Sequence, residues 1–147
     1  MKIAIGGDHS SLALKTSIIN HLKQKGVVSA DLGTYTEEST DYPIYAKKVS
    51  DAVLSGEANF GILVCGTGVG MSIAANKIKG IRCALCGDTY SAKMTRLHND
   101  ANVLALGARV LGEDVALEIA DAFLENSFCG EPRHINRLNM VKELENA

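Results

Sequence analysis

The sequence predicts an α/β fold, and three observations carry the prediction. Short apolar runs alternate with segments of helical period from one end of the chain to the other. The connections between them are short, as βα units require. One run, "FGILVC" at 60–65, is apolar throughout, which marks a central strand buried on both faces. Together these imply five βα units in a Rossmann-like (flavodoxin-like) three-layer sandwich, with a five-stranded parallel sheet and a C-terminal helix. The 147 residues are read as a single domain, 1–147, without a long linker, a low-complexity segment or an internal repeat.

Each element has its own signal. "KIAI" opens the sheet, and Leu14, Ile18 and Leu22 then recur at helical spacing until Gly26 supplies a stop. "VVSADLG" is the second strand. In "DYPIYAKKVSDAVLSG", Pro43 sits in a first turn while Tyr45, Val49 and Val53 share one face. After "FGILVC", a helix is entered from a glycine turn over "VGMSIAANKIKG". "IRCALCG" is the fourth strand, "TYSAKMTRLHN" a helix, and "NVLALG" the fifth strand. Ala116, Ile119, Ala120, Phe123 and Leu124 form a helical stripe, and a last helix begins near Glu131 with Pro132 in its first turn.

Composition narrows the function. Fifteen Lys and Arg stand against 17 acidic residues, a net charge of −2, which argues against a general binder of nucleic acid or anionic membrane. No apolar run approaches the ~18 residues of a membrane span, and the N-terminus reads as a strand rather than a signal peptide. Four sparse cysteines in a chain of this length read as thiols of a reducing compartment, so the expected location is cytoplasmic.

In such sheets ligands sit beyond the carboxyl ends of the strands. "GGDHSS" with Asp8 and His9 follows the first strand, "CGTGVG" the third, and "GAR" with Arg109 the fifth. "HNDAN", following the fourth helix, is grouped with them, and the tail helix carries Arg133 and Arg137 four residues apart on one face. The glycine turn lacks the third glycine of a dinucleotide fingerprint, because Met71 occupies that position, and neither glycine segment has the Gly-Lys-Ser/Thr of a phosphate loop. It can still present backbone N–H groups to a phosphate or a developing oxyanion. Cys65 stands at its mouth, where helix N-terminal potential favours a thiolate. The plainer reading, a small buried core residue, stays open.

The remaining candidates carry alternatives too. Cys83 and Cys86 fall in a strand, where an offset of three sends side chains to opposite faces, so core packing suits them better than a metal site. His9 and His98 lie at element ends; each is either a surface residue or a site residue. His21 is structural, and Cys129 is incidental. Arg133 and Arg137 are either a solvated helix face or, with Arg109 and His9, a phosphate clamp.

"GGDHSSLALK", "DLGTYTEESTDYPIYA", "GILVCGTGVGMSIAANKIKGIRCA", "HNDANVLALGAR" and "PRHINR" together resemble the type B ribose-5-phosphate isomerases, whose superfamily includes galactose-6-phosphate and allose-6-phosphate isomerases. The resemblance covers the chain from Lys2 to Arg137. It implies interconversion of ribose 5-phosphate and ribulose 5-phosphate in the pentose phosphate pathway, through a cis-enediolate and with no metal or organic cofactor. By resemblance, Cys65 is the base, Thr67 shuttles hydroxyl protons, and the amides of Gly66 to Gly70, including Gly68, hold the enediolate oxygen. His98, with Asp8, opens the furanose ring. Tyr42 and Asn99 contact the sugar; His9, Arg109, Arg133 and Arg137 hold the phosphate region. A homodimer or homotetramer is implied, with His98, Asn99 and Arg109 entering the site from a partner subunit. The alternatives are a hexose 6-phosphate isomerase and a non-catalytic phosphosugar or nucleotide binding module. Ser10 and Ser11 depart from the family's usual small-residue-then-glycine pair after Asp-His, which alters the first turn without touching a catalytic position.

Overall fold

The computed structural model describes residues 1–147. Five parallel strands, β1 (Lys2–Gly7), β2 (Val28–Asp31), β3 (Phe60–Cys65), β4 (Cys83–Leu85) and β5 (Val103–Gly107), pair in the order β2-β1-β3-β5-β4. Six helices complete the chain: α1 (Leu12–Gln24), α2 (Tyr42–Leu54), α3 (Val69–Ala75), α4 (Thr89–Asn99), α5 (Glu113–Leu124) and α6 (Pro132–Leu144). The three-layer architecture is the one expected from the sequence. α3 is shorter than its sequence suggests, ending at Ala75, because Asn76 turns to exchange two hydrogen bonds with the backbone of Cys83.

Strand alternation divides the core into two faces. Ile3, Ile5, Ile62, Val64, Leu104 and Leu106 pack against the stripes of α1 and α5, with Phe123 fully buried and edge-on to Phe60. Ala4, Leu63, Cys65, Val103 and Ala105 face the opposite layer, where Tyr45 and Val49 of α2 and Met71 of α3 meet them. Each large aliphatic side chain removed from water contributes about 1.5–3 kcal/mol, so both faces hold their helices firmly. Cys86 belongs to the first face and Cys83 packs on the second, as their offset of three requires. Small residues on the α2 and α3 side let the helices approach closely, while bulkier side chains fill the other.

The strand order reverses between β1 and β3. From β1 the chain moves outward to β2, then returns to β3 and continues to the other side. Loops leaving the two central strands therefore part in opposite directions, and the space between them is a crevice at their carboxyl ends. Asp8, His9 and Cys65 flank it.

Candidate active site

Cys65 ends β3 with only 5% of its surface exposed, and its side chain lies on the α2 and α3 side of the sheet. The chain then turns through Gly66 and Thr67 to Gly68, whose φ of 76° is left-handed. That turn swings the Gly68 N–H back onto the Cys65 sulfur at 3.1 Å. Negative charge developing on Sγ thus meets a fixed backbone donor. The Val69 N–H is taken by Thr67 Oγ1 at 3.3 Å. Two of the amides expected to cradle an oxyanion are therefore already occupied, whereas those of Gly66, Thr67 and Gly70 bond to nothing within the chain. With only seven residues, α3 has a modest dipole, so these individual N–H groups are the main source of positive potential.

Gly68 tolerates no replacement. A Cβ there would stand 2.6 Å from Leu85 Cδ1 and 2.9 Å from the Leu106 carbonyl carbon, in addition to its backbone strain. Gly68→Ala is expected to destabilise the protein by about 2–4 kcal/mol. Urea unfolding measures this, and an unchanged midpoint would show that the turn relaxes freely. Gly70 is constrained by approach instead, because the Tyr42 ring lies where its Cβ would be, at 2.7 Å from Cζ.

The β1 loop supplies the opposite wall. Asp8 is 6% exposed, and its Oδ1 accepts from both the Ser10 hydroxyl at 2.6 Å and the Ser10 N–H at 3.0 Å. Ser11, fully buried, donates its hydroxyl to the Asp8 carbonyl at 2.7 Å. The two serines that depart from the resembled pattern therefore fasten Asp8, leaving Oδ2 without a partner in the chain. The Thr40 N–H donates to His9 Nδ1 at 3.2 Å, which requires a lone pair there and leaves an Nε2–H as donor to an anion. Arg109 follows β5, and its Cδ and Nη1 pass 3.5 and 3.6 Å from where a Gly66 Cβ would stand. Its N–H donates to the Gly66 carbonyl at 2.9 Å. Arg109 thus lies beside the glycine turn of its own chain.

Grouping "HNDAN" with the strand-end residues is also corrected. His98 and Asn99 close α4 and precede β5, so they lie at the amino end of the sheet, where the Asn102 carbonyl accepts from Gly61 N–H. About 13 Å of strand separates Val103 from Gly107 beside Cys65. α6 belongs to this far end too. His134 stacks on His98 with centroids 4.2 Å apart and planes within 9°, and the Gly80 N–H donates to Glu145 at 3.0 Å. Arg133 pairs with Glu131 at 2.8 Å. Within one chain, then, the candidates form two groups. Asp8, His9, Tyr42, Cys65, Thr67, Arg109 and the glycines gather at one end; His98, Asn99, Arg133 and Arg137 belong to the other.

The far group is rigidly built. Asp100 has φ 44°, the one non-glycine residue in the left-handed region. Its carboxylate binds Arg96 Nη1 at 2.8 Å and Arg82 Nη2 at 3.1 Å, while its carbonyl accepts from Arg82 Nη2 at 2.7 Å. Arg96 is buried with its guanidinium 4.4 Å from the Phe60 ring centroid. Sequence reasoning missed this clamp, although the Arg96–Asp100 spacing of four is legible on a helix. It also passed over His134. That residue is 5% exposed, and its Nε2 is buried without a partner. Burial, then His98 and Arg133, hold its pKa below the ordinary histidine value. The largest concavity, about 530 Å³, lies beside this group between α6 and the β4 edge, lined by Arg82, Cys83, Asn99 and Leu138. The one thiol in its lining, Cys83, is pushed by burial up to about 12 and stays protonated near neutral pH.

Comparison with known proteins agrees with the fold. The chain is 50% identical over 144 residues to ribose-5-phosphate isomerase B of Escherichia coli, covering 98% of this chain and 96% of that protein. The structure of ribose-5-phosphate isomerase B from Clostridium thermocellum superposes with a TM-score of 0.97 at 51% identity, over 99% of this chain and 98% of the other. That of the Mycoplasma genitalium enzyme, solved with bound ribulose-5-phosphate, gives 0.92 at 40% identity, over 99% and 96%. With residues 3–141 matching the family profile as well, the chain belongs to the ribose/galactose isomerase family.

Proposed function

We propose that the protein interconverts ribose 5-phosphate and ribulose 5-phosphate through a cis-enediolate, with Cys65 as the base. The observation that carries this reading is a buried sulfur, held by the Gly68 N–H, beside a turn whose Gly66, Thr67 and Gly70 amides are unpaired. The Cys65 thiolate takes the C2 proton of the open-chain aldose. The C2 electrons form the C1–C2 double bond, and negative charge moves to O1, where the free amides stabilise it. Return of the proton to C1 and transfer of a hydroxyl proton from O2 to O1 complete the ketose. Thr67 accepts from the Val69 N–H, which leaves its own hydroxyl proton free for that transfer. No electron leaves the substrate and no group is carried, so the reaction calls for no redox or carrier cofactor.

Ring opening needs an acid and a base, assigned to His98 and Asp8. They occupy opposite ends of one chain, so the site is completed by a second copy. His98, Asn99, Arg133 and Arg137 of the partner subunit would then face Asp8, His9, Tyr42 and Cys65. Exposed apolar side chains on α6, among them Ile135, Met140 and Leu144, suit such an interface. All four cysteines are free, which agrees with a cytoplasmic location.

The test is an isomerisation panel on ribose 5-phosphate, allose 6-phosphate and galactose 6-phosphate, compared by kcat/KM. Preference for a hexose phosphate would reassign the substrate, and tight nucleotide binding without turnover would make the protein a binding module. Arg137→Ala is expected to raise KM about tenfold or more with little change in kcat, since phosphate contacts serve ground and transition states alike. A fall in kcat at unchanged KM would place Arg137 in the chemistry instead.

A further inference from the structure

His134 has no place in the scheme above, yet its geometry is specific. It lies on α6 next to Arg133 and three residues before Arg137, on the helix assigned to the phosphate. Its ring is 5% exposed and lies flat on His98, 4.2 Å away and within 9° of parallel. A buried imidazole with an unpartnered Nε2 is costly to keep, and phenylalanine or leucine would fill the space without that cost. The stack is also the point where α6 meets the end of α4. Beneath it, Arg82 and Arg96 pin Asp100 and the Asn99 carbonyl, so the backbone behind His98 is fixed and only its ring remains to be oriented.

We propose that His134 is a positioning residue for ring opening: its ring sets the plane of His98 and locks it to the helix that carries Arg133 and Arg137. The proton-transfer group and the phosphate grip are thereby presented to the facing cleft as one rigid unit. A furanose gripped by its 5-phosphate has its ring oxygen four bonds from phosphorus, which limits how far the two can lie apart. Locking His98 to the arginines therefore sets the proton relay in register with the ring. This inference rests on the two-subunit reading of the site.

The experiment compares wild type, His134→Ala and His134→Phe with ribose 5-phosphate, after circular dichroism and sedimentation have shown that each is folded and associated alike. His134→Ala is expected to lose about tenfold or more in kcat at nearly unchanged KM, because the relay is misplaced while the phosphate is still gripped. As its concentration is raised, its rate should stop increasing in proportion to enzyme, since spontaneous ring opening then limits the supply of open aldehyde. His134→Phe, which keeps a flat ring for the stack, should recover most of kcat and the proportionality. Wild-type kinetics in His134→Ala, a rate that stays proportional to enzyme despite a low kcat, or a phenylalanine variant as slow as alanine would each overturn the proposal. Should His134→Phe fail to fold, His134→Tyr takes its place with the same expected recovery. If wild type itself fails to turn over ribose 5-phosphate, or is fully active as a monomer, the underlying functional reading falls instead.

Discussion

Replacing Cys65 with alanine is expected to lower kcat for ribose 5-phosphate by about 10³-fold while leaving the fold intact. The side chain is small, and it sits at a strand end rather than in the depth of the core, so the loss of packing is minor. What disappears is the group that removes and returns the proton. The oxyanion donors and the phosphate contacts remain, so binding of a substrate analogue should change little. Steady-state assay together with analogue titration checks this. Near-normal turnover in the alanine variant would return Cys65 to the plainer role of a core residue.

The second large effect concerns two defective chains. Cys65→Ala and His98→Ala lie in different halves of the chain, and each should be nearly inactive alone. In a mixed dimer built from one of each, one site carries both defects and the other carries neither. Random reassortment makes half the dimers mixed, each with one intact site in two, so about a quarter of wild-type activity should return. Refolding an equimolar mixture from denaturant, followed by assay, measures it. A mixture no more active than its parents would show that both residues serve a site within a single chain. His98 would then need to reach Cys65 across the length of the sheet.

Much of the fold could be read from the chain because its rules are local. The alternation that sends Ile3, Ile5 and Ala4 to opposite faces, the Leu14–Ile18–Leu22 stripe and the stop at Gly26 are short-range patterns. The crevice followed from strand ends, and Asp8, Cys65 and Arg109 indeed flank it. "HNDAN" is the exception: residues that follow a helix precede the next strand, and the βα order puts them at the sheet's amino end. The attachment of Asp8 by Ser10 and Ser11 was visible only as a departure from pattern. The stacking of His134 on His98 depends on where α6 docks, and nothing in its own helical period fixes that docking.

The opposite faces taken by Cys83 and Cys86 also decide which thiols of this protein can react. Burial pushes Cys83 up to about 12 and Cys86 up to about 11, so near neutral pH both remain protonated and poorly nucleophilic. Cys129 is exposed, whereas Cys65 is 5% exposed at the end of β3, beside the crevice. Of the remaining two, Cys129 is the exposed thiol and Cys65 the one that receives a backbone N–H, from Gly68. Cys129→Ser would leave Cys65 as the principal target for a thiol-directed probe, making it a reporter of its own occupancy without further engineering.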